Sequence, residues 1–137
     1  MRNKIIILIL IILNLNFLNV QSNEQIVFDV SELEILDGGN KIIGKNRGNI
    51  VTDNGISIEA DKFEFDKKKN VLKANGNIII KDQINNYYFL AENILYIKNK
   101  ERIEIKGKSE GTIDTNYKFE IKDVVILRND MKISSDV

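Results

Sequence analysis

The sequence predicts an all-β protein built from stacked, bent hairpins. Two observations lead to this prediction. An apolar pattern in which every second position is hydrophobic recurs at a period of about 30 residues, and turn-forming residues follow each copy of it. No amphipathic helical period is found beyond Ser22. A fixed period of this length indicates one supersecondary unit, repeated and stacked.

Each repeat contains two pairs of apolar residues separated by two mostly polar residues. Within a pair the apolar residues alternate with polar ones, as in a half-buried strand, and the parity changes between the pairs. The four copies are Phe28, Val30, Leu33 and Ile35; Ile58, Ala60, Phe63 and Phe65; Phe89, Ala91, Ile94 and Tyr96; and Phe119, Ile121, Val124 and Ile126. All sixteen positions are apolar, which chance alone would rarely produce even in an Ile-rich chain.

The parity change predicts a bend in each strand. The polar pairs are Ser31-Glu32, Asp61-Lys62, Glu92-Asn93 and Lys122-Asp123. A β-bulge at such a pair re-aims the strand, so that both of its arms face one interior.

Turns and returning strands complete each unit. The segments 37–40, 66–70, 98–101 and 128–130 are rich in Asp, Asn, Gly and Lys, which favour tight reversals. Returning strands follow at Leu72-x-Ala74 and Ile103-x-Ile105, and each leads to a glycine, Gly76 or Gly107. The fourth unit reaches Val137 without this glycine, so we expect the domain to be incomplete at its C-terminal end.

The N-terminal segment 1–22 predicts a secretory signal peptide. Arg2 and Lys4 precede the apolar run 5–13, which is about half of the roughly 20 residues that span a bilayer. Val20 and Ser22 suit the positions before a cleavage site, which gives a mature domain over positions 23–137. An uncleaved membrane anchor is the alternative. Both place the domain outside the cytoplasm.

Composition argues against several function classes. The 20 basic and 20 acidic side chains balance, which disfavours a dedicated nucleic-acid binder. His and Cys are absent, so the commonest general base, the thiolate nucleophile and the commonest zinc ligands are missing. We therefore predict a non-enzymatic protein with no catalytic residues, no metal site and no cofactor.

The repeat unit resembles the OstA-like domain family of lipopolysaccharide transport. The resemblance is carried by Ile58-x-Ala60-Asp61, by Phe63-x-Phe65, and by Asn70-x-Leu72-x-Ala74-x-Gly76-Asn77-x-x-Ile80. The next unit repeats Ala91-Glu92, Ile94-x-Tyr96 and Ile103-x-Ile105-x-Gly107. The resemblance extends over positions 26–137. The family includes the periplasmic bridge protein and the N-terminal domain of the outer-membrane assembly protein.

The resemblance implies a fold, a ligand and a location. The fold is a slightly open, V-shaped β-jellyroll whose interior shields the acyl chains of lipopolysaccharide in the periplasm. The implied partners are lipopolysaccharide, other jellyroll domains that stack through edge strands, and the outer-membrane assembly machinery, with no nucleic acid. The predicted groove-lining residues are Ile58, Ala60, Phe63, Phe65, Leu72, Ala74, Ile78, Ile80, Phe89, Ala91, Ile94, Tyr96, Ile103, Ile105, Phe119 and Ile121.

Other interpretations remain open at this point. Periodicity alone favours an ordinary closed core, as in a structural β-solenoid of a surface or adhesion protein. A glycan-cleaving enzyme would require paired carboxylates that converge on one concave face, and the sequence shows no such cluster. Glycan cleavage that is lost on mutation of Asp61 or Glu92 would support this alternative. The small residues Ala60, Ala74 and Ala91 either leave width for lipid chains or fit tight corners. Lys45, Arg47 and the run 66–70 either contact lipid phosphates or are solvated.

Overall fold

The structure, a computed structural model, describes residues 26–135, so the predicted signal peptide lies outside the described residues. This part of the chain is all-β, as predicted. The strands are β1 (Ile26–Leu36), β2 (Lys41–Thr52), β3 (Ile56–Ala60), β4 (Lys62–Asp66), β5 (Val71–Asp82), β6 (Tyr87–Ile97), β7 (Arg102–Ile113), β8 (Tyr117–Leu127) and β9 (Lys132–Ser135). Two short 3-10 turns, Asp37–Gly39 and Lys98–Lys100, occupy predicted turn positions. Within residues 26–135 there is no helix with the length and hydrophobicity of a membrane-spanning segment.

All nine strands belong to one antiparallel sheet in which neighbours in sequence are neighbours in space. The order is β1-β2-β3-β5-β6-β7-β8-β9, and β4 pairs with β2 and β5 beside β3. β9 pairs only with the second half of β8, at Val124–Leu127. Within the described residues, the outer edge of β1 therefore has no strand partner, and neither does the edge of the first half of β8 that faces away from β7.

The sheet is folded into two layers along a row of bends. Layer 1 contains the strand segments 26–30, 48–52, 56–60, 78–82, 87–91, 108–113 and 117–122. Layer 2 contains 32–36, 41–45, 62–66, 71–75, 93–97, 102–106, 124–127 and 132–135. The rings of Phe28 in layer 1 and Phe65 in layer 2 pack with their centroids 6.1 Å apart, so the layers meet face to face.

Bends occur at the predicted corners, but the residues left out of the strand pairing differ in part from those predicted. In three of the four irregular ladders a single residue of the outgoing strand is left out of the pairing, Ser31 in β1, Glu92 in β6 against β5, and Asp123 in β8, where the sequence suggested two. Between β6 and β7, two residues of β6, 91–92, are left out. The longer insertions, 46–47, 76–77 and 106–107, are on the returning strands. Leaving out one residue restores the alternation, and this explains the parity change in the sequence.

We expect Gly76→Ala to destabilise the fold more than Gly107→Ala. Both glycines lie at bends with positive φ, +80° and +87°, which costs a residue with a Cβ about 1–2 kcal/mol. An added Cβ would lie 2.6 Å from Asp61 Oδ2 at Gly76, but nothing lies within 4 Å of it at Gly107. At Gly76 alone, making room for the Cβ would move the Asp61 carboxylate away from Arg47 and Asn77, and the loss of these hydrogen bonds adds about 1–3 kcal/mol. Urea denaturation of the two variants measures the difference, and equal losses would contradict the close contact.

The core lies between the layers and follows the predicted alternation, with one exception. Leu33 and Ile35 occupy inward positions of the pattern, yet they are 44% and 61% exposed. They belong to the layer 2 half of β1, the first strand of the sheet, so β2 flanks them on one side only. Ile42, Ile50 and Ile56 are buried and were not among the predicted interior residues.

Candidate functional site

The predicted groove-lining residues share one apolar interior. Fourteen of the sixteen are buried, and the other two, Phe119 and Ile121, are half-buried against the same cluster. The middle of this interior is tightly filled, because Ile58, Phe89 and Tyr96 are fully inaccessible to solvent. The structure therefore places these side chains inside, while their contact with a lipid stays a prediction.

The apolar interior reaches the surface at the two ends of the sheet. Ile26, Phe28 and Val30 are half-buried at the β1 end. Ile113, Phe119, Ile121 and Ile133 are half-buried at the β8–β9 end. Apolar side chains that are open to solvent on one side favour contact with another apolar surface.

A small apolar cavity lies between the layers at the β8–β9 end. It has a volume of about 80 Å³. Its lining comprises Tyr87 and Ile113 of layer 1, Ile126, Leu127 and Ile133 of layer 2, and the turn residues Asn85, Arg128 and Met131. One water needs roughly 10–15 Å³ measured in this way, so the cavity has room for only a few groups of that size. Several acyl chains would require the layers to move apart.

The three small residues lie next to the bends. Ala60 directly precedes Asp61, Ala91 directly precedes Glu92, and Ala74 lies two positions before Gly76. Each is buried in contact with the core cluster. Ala60 and Ala74 are fully buried, which favours the view that they fit tight corners. Ala91 instead lines a surface cleft of about 790 Å³ beside Ile78 and Glu92, so space is left next to it.

The cations that could have met lipid phosphates are paired within the protein. The Arg47 guanidinium donates to Glu59 at 2.8 Å and to Asp61 at 3.0 Å, and it also contacts the carbonyl oxygen of Asn77 at 3.3 Å. Hydrogen bonds from Asn77 and Arg47 hold the pKa of the Asp61 carboxyl below its usual value.

The lysines named with Arg47 also have acidic neighbours. Lys45 lies 3.1 Å from Glu34. The run 66–70 is mostly exposed, and Lys69 pairs with Asp66 of the same turn at 3.5 Å, as in an ordinary solvated loop.

The carboxylates at the bends have structural partners or are exposed. Asp123 accepts a hydrogen bond from the backbone N–H of Gly107 at 2.9 Å, while Glu92 is exposed. Within residues 26–135, no group of three or more Asp and Glu residues is arranged to hold a metal ion. Asp61 is occupied by Arg47 and Asn77 rather than aimed at an open cleft beside Glu92.

A polar cluster with a buried centre joins the two layers at their far ends, opposite the bends. We call it the Arg128 cluster; it comprises Asp53, Asn54, Asp82, Tyr96, Lys98, Glu101 and Arg128. Arg128 donates to Asp82 Oδ2 at 2.6 Å, to the carbonyl oxygen of Asn54 at 2.8 Å, and to Glu101. The side chains of Arg128 and Asp82 are only 6% and 0% exposed. All the hydrogen-bonding nitrogens of this guanidinium are thus engaged inside the protein.

Further contacts within this cluster connect the same turns. The Asn54 amide donates to Glu101 Oε1 at 2.6 Å and to the Tyr96 hydroxyl at 3.1 Å. Lys98 Nζ lies 3.4 Å from Asp53 Oδ1. Burial raises the pKa of the Tyr96 phenol, so the hydroxyl keeps its proton and donates to Glu101 at 3.2 Å. The sequence pattern assigned Asn54, the segment 98–101 and Arg128 to turns and Tyr96 to the interior, and it predicted no contact among them. The one signal was Asp82, which continues the inward positions Ile78 and Ile80.

A solved structure with the same architecture is the crystal structure of LptH from Pseudomonas aeruginosa, described as the LptA homologous periplasmic component of the conserved lipopolysaccharide transport device. The TM-score is 0.71 at 13% sequence identity, and the match covers 82% of each chain. The chain has an LptA-like fold. No family model and no curated protein matches the sequence.

The LptA-like fold confirms the predicted all-β jellyroll of stacked, bent hairpins. At this level of identity the likeness concerns the fold alone. What the interior binds, and where the protein acts, therefore have to be argued from the residues of this chain and tested.

Proposed function

We propose that this chain is a non-enzymatic carrier module of lipopolysaccharide transport. Its apolar interior shields acyl chains while the lipid crosses the periplasm toward the outer membrane. The observation that carries the proposal is the continuous apolar interior, which is open at both ends of an LptA-like fold. Each methylene removed from water gains about 0.8 kcal/mol, so an acyl chain needs such a lining and no chemistry.

The proposal includes the partners and the route. The segment 1–22 directs export, and positions 23–137 form the periplasmic domain. The unpaired edges of β1 and of the segment 117–123 in β8 suit strand addition by neighbouring jellyroll domains, since their backbone groups lack ladder partners in the described residues. Such stacking joins the two open ends of the interior. A bridge protein and the N-terminal domain of an outer-membrane assembly protein both fit this arrangement.

Site-specific photocrosslinking tests the proposal. A benzophenone amino acid at Phe119 or Phe28 is expected to capture lipopolysaccharide in Gram-negative cells expressing the full chain, because both side chains line the open ends of the interior. Glu120 is the matched control, since it neighbours Phe119 on β8 and its exposed side chain lies on the opposite face of the sheet from the apolar interior. Equal capture from Phe119 and Glu120, or no capture from either end position in folded protein, would contradict a lipid-binding interior.

A structural domain with a closed core is the second candidate. The observation in its favour is the complete burial of Ile58, Phe89 and Tyr96 in the middle of the interior. In this case the end positions capture no lipid, and adding lipopolysaccharide leaves the melting temperature unchanged. A rise in melting temperature with lipid would count against this second candidate.

A further inference from the structure

We propose that the Arg128 cluster is a latch that holds the two layers together at the mouth of the fold and opens when a guest enters the interior. This inference rests on the proposed function for the identity of the guest. The latch itself is a property of the fold and can be tested without any ligand.

The position of the cluster follows from the topology. At the bends, the backbone itself connects layer 1 with layer 2. At the opposite ends, each turn joins two strands of the same layer, as 53–55 does in layer 1 and 98–101 does in layer 2. The layers are therefore held at the mouth by non-covalent contacts only. Among residues 26–135, the polar side-chain contacts identified between the layers at this mouth belong to the Arg128 cluster.

The cluster also separates two cavities. A surface cleft of about 450 Å³ lies on its outer side, lined by residues that include Asn54, Glu101 and Arg128. The apolar cavity of about 80 Å³ lies on its inner side. Asn85 and Arg128 line both spaces, so Arg128 of the cluster lies between the cleft and the apolar cavity. Opening it would join the two.

The chemistry of the cluster suits reversible opening. A buried ion pair gains little net free energy relative to its hydrated, separated groups, because desolvation offsets the attraction. Charged groups are rehydrated when they separate, whereas apolar side chains that separate lose the free energy of burial without any compensating interaction with water. A polar contact at the mouth therefore holds the two layers in a defined position. Separating it costs less free energy than separating an apolar contact of equal area.

Spin-label distances test the latch directly. The natural chain has no cysteine, so labels at Gln83→Cys in layer 1 and Asn99→Cys in layer 2 report on the mouth alone. Both positions are exposed and lie in turns beside the cluster. Arg128→Met is expected to raise the fraction of widely separated labels about tenfold or more in double electron–electron resonance. Arg102→Met is the control, because Arg102 pairs with Glu104 of the same strand, within layer 2.

A second variant keeps the test decisive where Arg128→Met does not fold. Asn54→Asp preserves the size of the side chain but removes the amide that donates to Tyr96 and Glu101. It also places a carboxylate next to Glu101. The same widening is expected, and unchanged distances in a folded Arg128→Met or Asn54→Asp protein would overturn the latch.

Lipopolysaccharide capture separates the latch from the proposed function. A benzophenone at Phe63, in the filled middle of the interior, is expected to capture several-fold more lipid in the latch variants than in the natural chain or in Arg102→Met. Widened distances with no capture at Phe63, Phe28 or Phe119 in any variant would leave the latch standing and reject lipid transport. Capture at Phe63 that is equal in all variants, with unchanged distances, would reject the latch alone.

Discussion

Replacing Phe63 with alanine is expected to lower the free energy of unfolding by about 3–5 kcal/mol. The Phe63 side chain is 1% exposed, and its strand partners on the two sides are Gly44 and Ala74. Neither neighbour has atoms that could fill the space left by the ring, so most of the lost volume remains as a cavity. Chemical denaturation monitored by circular dichroism measures the loss.

Tyr117→Ala is the control for this substitution. Tyr117 is 69% exposed on β8, and its removal is expected to change the stability by no more than about 0.5 kcal/mol. A loss below about 1 kcal/mol for Phe63→Ala would mean that the interior is not closed around this ring in solution. An interior that is already open would also remove the need for a latch.

Replacing Asp82 with alanine is expected to cost about 3–5 kcal/mol of stability, because it leaves Arg128 buried without its main partner. The Asp82 carboxylate also accepts the backbone N–H groups of Ile84 and Asn85, at 3.0 Å and 2.9 Å, which lose their partner at the same time. Glu104→Ala, which breaks the more exposed pair with Arg102, is expected to cost about 0–1 kcal/mol. Urea denaturation at neutral pH compares the stabilities of Asp82→Ala and Glu104→Ala. Similar losses would contradict the larger contribution of the buried Asp82–Arg128 pair.

Asp82 also predicts how stability depends on pH. Burial alone would raise the pKa of this carboxyl, but hydrogen bonds from Arg128 and Asn85 outweigh it and hold the pKa below its usual value. Because the pKa is lower in the folded state, the stabilisation is present above the unfolded pKa of about 3.9 and is lost as the pH falls through the folded pKa. The stability of Asp82→Ala should therefore fall less steeply below about pH 4 than that of the natural chain.

Local periodicity was sufficient to predict the strands and the inward positions. The alternation of Ile58, Ala60, Phe63 and Phe65 is a property of neighbouring residues, and the structure buries all four. The exposure of Leu33 and Ile35 depends instead on their position in the first strand of the sheet, which the local sequence pattern does not indicate. The same pattern is therefore buried in the second repeat and exposed in the first.

The Arg128 cluster was beyond sequence reasoning for a different physical reason. Its members come from three separate turns and from the ends of β5 and β6, and residues 54 and 128 are 74 positions apart along the chain. Charged residues in turns are ordinarily solvated, so composition gave no reason to bring them together. Among the members of this cluster, Asp82 at an inward position of β5 was the one local conflict with the alternating pattern. Such conflicts concentrate where a fold carries strain or function.

The consecutive order of the strands has a consequence for how this protein folds. Almost every pairing joins strands that follow one another along the chain, so little chain entropy is lost before each new contact forms. Hairpins in the middle of the stack have neighbours on both sides, whereas those at either extremity have one. Amide hydrogen exchange would therefore be slowest in β5 and β6 and fastest in β1 and β9, and unfolding would proceed inward from the extremities.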